Sequence, residues 1–175
     1  MDRRQFLSIS LASSSAPLLF DTDVSNDKQD KDQDFFLKSP ERGMKALHKL
    51  LAQPYGKQAL VLLHCWPFLD ESGYLAKHHA NIFLDTCWQP VLNPAFLQQS
   101  LDPWLDYVPM SKIMMGNDAT SIEMAVGSSL VTKRVLAEAL VNYEKRYQID
   151  ASRMLSVARG FLHDNAWSLY IENSS

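Results

Sequence analysis

The chain has 175 residues, enough for one ordinary domain, and its 46% apolar and 21% charged residues exclude disorder along its whole length. Its formal net charge of −3 leaves no basic footprint, so neither nucleic acid nor an anionic membrane surface is an expected partner. Two cysteines, Cys65 and Cys87, exclude a disulfide framework and, without C-x-x-C spacing, read as buried thiols with no chemistry assigned.

Residues 1–20 carry a paired arginine, Arg3-Arg4, then Phe6-Leu7 and a serine-diluted apolar stretch ending at Phe20. This pattern resembles a twin-arginine export signal, an address that stands outside the fold and implies a periplasmic location; a cytoplasmic location is the alternative. Residues 21–34 are rich in Asp, Lys, Gln and Asn, and cannot bury enough surface to offset their ordering entropy, so a disordered linker is expected there. No later stretch reaches the roughly 18 apolar residues that a membrane span needs. The folded domain is therefore expected over 35–175.

Met44, Leu47, Leu50 and Leu51 predict a helix over 41–53, stopped by Pro54 and Gly56. Ala59 to His64 is apolar on both faces, as a parallel strand covered on both sides must be. A short helix over 71–79 leads to a second strand, Asn81 to Asp85, and then to a loop with Trp88, Pro90, Pro94 and a single helical turn. Leu101 to Val108 reads as helical and Lys112 to Gly116 as a third strand. Thr120-Ser-Ile-Glu123 has capping-box spacing, starting a helix that runs to Tyr143 with a break near Gly127. Asp150 caps a further helix to Arg159, and Asp164 to Tyr170 forms the last turns. Three strands alternating with helices give an α/β class.

In such folds, functional groups sit where parallel strands end. His64, Asp85 and Asp118 all occupy that position. An imidazole beside a carboxylate at a barrel mouth is the combination that holds Zn²⁺ or a similar divalent ion and orients its water. Asp85 is expected to hydrogen-bond the neighbouring loop rather than touch metal.

The segments His64-Cys-Trp-Pro-Phe68, Gly73-Tyr-Leu-Ala76, Asn81-Ile-Phe-Leu-Asp85, Trp88, Val108-Pro-x-Ser-Lys-Ile113, Gly116-x-Asp118-Ala119 and His163-Asp-Asn-Ala166-x-x-Leu-Tyr170, in that order, resemble the C-terminal part of amidohydrolase-related proteins of the metal-dependent hydrolase superfamily. The resemblance covers 58–171 and implies part of a (β/α)₈ TIM barrel. It further implies that His64 follows the sixth barrel strand, and that Asp118 follows the eighth, where the family's aspartate binds metal or acts as general base. The expected metal residues are thus His64 and Asp118, and the expected catalytic residue is Asp118, with a small-molecule substrate. Superfamily members also include decarboxylases and isomerases.

Two features of the family pattern are missing. No H-x-H pair opens the chain, because His48 and His78-His79 fall on predicted helices, and no middle strand supplies a further histidine or a modified lysine. A full barrel also takes about 200–250 residues, whereas only about three β/α units fit here. Self-association or a complementing N-terminal half would then supply what is missing. A non-catalytic truncated remnant is one alternative; a small-molecule binding module lined by Trp66, Phe68, Trp88 and Trp104 is another.

Overall fold

A computed structural model describes residues 7–10 and 59–172. The expected linker and the helix over 41–53 lie outside these residues, as does most of the leader. Among the described residues, four parallel strands form one sheet: β1 (Leu7–Ser10), β2 (Leu60–Leu63), β3 (Ile82–Asp85) and β4 (Ile113–Met114). Each strand lies beside its neighbour in sequence, in the order β1-β2-β3-β4 without reversal.

Between the strands run α1 (Leu69–His78), the single turn α2 (Gln89–Leu92) and α3 (Pro94–Tyr107). After β4 come α4 (Ile122–Tyr147), α5 (Ala151–Arg159), a π-helical turn over Gly160–Asp164 and α6 (Asn165–Tyr170).

The three expected strands are present, and β1 is an addition. The expected leader spans these residues, and Leu7 to Ser10 pairs in register with Leu60 to Leu63. Leu-Ser-Ile-Ser alternates apolar and polar residues, the period-2 pattern of a strand.

Four helix readings also shift. Helix α3 begins at Pro94 rather than Leu101, because Asn93 caps it by accepting from Ala95 N–H at 2.9 Å and Pro94 suits a first helical position. The cap of α4 is Ser121, which accepts from Met124 N–H at 3.2 Å, instead of Thr120. Helix α4 continues through Gly127, around which a side chain would meet open space, so nothing there breaks it. The last turns include a π-helical segment that the sequence did not signal. Asp150 caps α5 as expected, accepting from Ser152 N–H at 2.6 Å.

Alternation along the strands sorts the core into two layers. Leu60, Leu62, Ile82, Leu84 and Ile113 face α1, α3 and α4, packing with Leu75, Leu101, Trp104, Leu136 and Leu140. Val61 and Met114 point to the other face, where Leu169 of α6 covers them with Phe83, Ala166 and Tyr170 alongside. Parallel strands covered on both faces need apolar residues at every position, which Leu60-Val-Leu-Leu63 supplies.

The last strand is fastened from both sides. Asn165 Nδ2 donates to Met110 O and Ile113 O, each at 2.9 Å, and Met115 N–H donates to Phe161 O at 3.0 Å. Lys112 Nζ reaches Ala76 O and His79 O, both at 2.7 Å, capping the C-terminal end of α1. Burial lowers the pKa of that ammonium. Cys65 and Cys87 are both free thiols and both buried, as expected.

Candidate metal centre

Strands β2, β3 and β4 are parallel, so their C-terminal ends share one rim, and the residues that follow them converge there. The decisive contact spans 54 positions: His64 Nε2 lies 2.7 Å from Asp118 Oδ2. The imidazole is mostly covered, at 16% exposure, whereas the carboxylate is 49% exposed, so the pair opens to solvent on the Asp118 side. The two residues selected from sequence therefore meet in space.

Local backbone geometry aims them. His64 has φ of 53°, Trp88 of 68° and Asp118 of 51°, all in the left-handed region that non-glycine residues rarely enter. The one other such residue described, Gln148 at 52°, ends α4. Each left-handed residue costs of order 1–2 kcal/mol, and three at one rim mark a place where packing holds the chain against local preference.

Trp88 lies against the imidazole, with ring centroids 5.0 Å apart. The main-chain N–H of His64 donates to Cys87 Sγ at 3.3 Å. Burial pushes the Cys87 thiol pKa well above its ordinary range, keeping the sulfur neutral as an acceptor.

Asp85, the third strand-end group, turns to the loop as expected: its Oδ1 accepts from Cys87 N–H at 2.7 Å. Burial raises its carboxyl pKa from 3.8 to about 6, against the lowering effect of that hydrogen bond. Its carboxylate fills the space beside Gly116, where a Cβ would overlap it. Asn117 braces the Asp118 segment by donating from Nδ2 to Ser129 Oγ at 3.1 Å and Ala125 O at 3.5 Å on α4.

Sequence reasoning missed the roles of Trp88, Cys87 and Asn117. Trp88 appeared only in a motif and an aromatic group, and no local pattern announces its left-handed backbone. The aromatic-pocket alternative loses Trp104, which is fully buried in the core with Nε1 donating to Leu69 O at 3.0 Å. Trp66 stacks on Phe96, with centroids 3.7 Å apart. His78 and His79 belong to α1 and its C-terminal cap, at the end of the sheet where β3 begins, as their expected helical placement requires.

Among solved structures, the fold is similar to that of a protein named as a candidate metal-dependent hydrolase from Lactobacillus casei ATCC 334. The TM-score is 0.66 at 22% identity, over 80% of this chain and 36% of that one. The likeness is one of fold. This chain thus spans about 36% of that protein's length. No protein-family model matches the chain, and no curated protein sequence does.

His64 and Asp118 have the donor chemistry of a divalent-metal site, a neutral imidazole nitrogen and a carboxylate oxygen. At 2.7 Å the two side chains hydrogen-bond directly, and an ion held by both would take the place of that bond. Among the described residues no cluster of three His, Cys, Asp or Glu side chains could hold a metal ion. His64 and Asp118 would supply two of the about three protein ligands that a catalytic zinc takes.

Proposed function

We propose that this chain is part of a metal-dependent hydrolase of the amidohydrolase-related kind, in which His64 and Asp118 contribute two ligands of a divalent-metal site, with Zn²⁺ the first candidate ion. The observation that carries this reading is the 2.7 Å approach of His64 Nε2 to Asp118 Oδ2 at the ends of two parallel strands. The unreversed order of four parallel strands agrees with an arc of a (β/α)₈ barrel, whose active sites lie at that end. The solved structure similar in fold carries a metal-dependent hydrolase name.

When bound, a divalent ion supplies Lewis-acid activation of water for attack on a small-molecule substrate. The chain's own part is then narrow. His64 offers Nε2, with its ring held by Trp88 and its backbone by Cys87 Sγ. Asp118 offers one oxygen to the site and, as general base, takes the proton released from water.

A second reading, a remnant without a complete site, is favoured by the lack of a third donor among the described residues. Titration with Co²⁺, followed by calorimetry and visible absorption, separates the two. The hydrolase reading requires a single site lost in both His64→Ala and Asp118→Ala. Absence of binding, or binding that both variants retain, refutes it and leaves the remnant.

A further inference from the structure

We propose that Asp85 is a positioning residue for the His64–Asp118 pair, acting through the turn at residues 86–88, which laces the ends of β2 and β4 together. Its relevance to metal binding rests on the function proposed above, whereas its structural role does not.

Asp85 ends β3, the strand between β2 and β4, so it stands midway between the two members of the pair. Its carboxylate is lodged against Gly116, and Oδ1 holds the turn by accepting from Cys87 N–H at 2.7 Å.

Each residue of that turn then reaches a neighbouring strand end. Thr86 N–H donates to Met114 O at 3.1 Å. Cys87 Sγ receives His64 N–H at 3.3 Å. Trp88 N–H donates to Asn117 O at 3.4 Å, while its ring rests against His64. One three-residue turn thus contacts the main chain of His64, its ring, and the residue adjoining Asp118. A buried carboxylate whose Oδ1 accepts from this turn, while its other side is lodged against Gly116, is placed to set the turn's shape.

An oxygen acceptor at position 85 is what the geometry needs, so Asp85→Asn, which keeps one, must behave differently from Asp85→Ala, which does not. The experiment follows the imidazole resonances of His64 and the indole resonance of Trp88 by NMR in the intact chain, alongside Zn²⁺ titration.

Asp85→Ala is expected to shift both sets of resonances and to weaken Zn²⁺ binding by about 10-fold or more, the usual effect of losing a group that orients a ligand. Asp85→Asn is expected to stay close to wild type in both. Resonances unmoved in Asp85→Ala, or Asp85→Asn shifted as far as Asp85→Ala, overturn the proposal. Should Asp85→Ala fail to fold, Cys87→Ala removes the next link; unmoved His64 resonances in that variant overturn the proposal equally. Failure of the wild-type protein to bind Zn²⁺ counts against the hydrolase reading, and the resonances still decide the role of Asp85.

Discussion

Gly116→Ala tests the packing of the rim most directly. A Cβ at 116 would overlap Asp85 Oδ1 and lie 2.6 Å from both Cγ and Oδ2. The carboxylate escapes only by releasing Cys87 N–H, whose residue is 5% exposed. Overpacking costs about 1–3 kcal/mol and a buried donor left unpaired about 1–3 kcal/mol more, so a loss of about 2–6 kcal/mol is expected.

In an Asp85→Ala background the obstruction is gone, and because Gly116 does not have a positive φ the same Gly116→Ala change should cost less than about 1 kcal/mol. The two changes are therefore coupled by at least about 1 kcal/mol, as expected for residues in direct contact. Urea denaturation of wild type, both single variants and the double variant, followed by tryptophan fluorescence at pH 7, measures this coupling. Additivity within about 0.5 kcal/mol would show that Gly116 is not a glycine on account of Asp85.

The raised Asp85 pKa also makes stability depend on pH. The folded protein binds this proton more tightly than the unfolded chain does, so stability should fall as pH rises from about 4 through about 6, then level off. A rise from 3.8 to about 6 sets the loss at of order 3 kcal/mol at most, and urea midpoints for wild type and Asp85→Asn should diverge by that trend; parallel profiles would contradict it. Lys112→Met keeps the aliphatic stem but strips the ammonium from Ala76 O and His79 O, which should destabilise the protein by about 1–3 kcal/mol in thermal or urea unfolding. Gln148→Gly relieves a left-handed residue at the end of α4 and should stabilise by about 0.5–1 kcal/mol in the same assay; a loss would mean that the Gln148 side chain contributes more than its backbone costs.

Strands β2, β3 and β4 and the convergence of His64, Asp85 and Asp118 at one rim are legible because their signals are local or positional. Ala59 to His64 is apolar without interruption, and a polar residue ends each of β2 and β3. Knowing that parallel strands present their C-terminal ends together brings His64, Asp85 and Asp118 to one rim without coordinates. Asp85 needed only one more step, since a carboxylate two residues before a main-chain N–H commonly turns back to it.

What escaped has the opposite character. The contact of Cys87 Sγ with His64 N–H joins residues 23 apart through a side chain with no sequence signature for the purpose. The left-handed backbone of Trp88 contradicts the preference of an aromatic residue, so propensity argues against it. Strand β1 escapes because a serine-rich apolar stretch serves equally as an export address or as a strand, and composition cannot separate the two. The start of α4 moved by one residue because Thr120 and Ser121 are both competent caps, and side-chain direction chooses between them.

The unusual φ angles at positions 64, 88 and 118 bear on how this rim can change. Valine, isoleucine and threonine are sterically penalised there, while glycine, asparagine and aspartate are tolerated, so the usable alphabet at all three positions is short. A saturation library at the rim would return few folded members unless it were biased toward those residues, and new reactivity would be found more readily by varying side chains that lean over the mouth than those that form it.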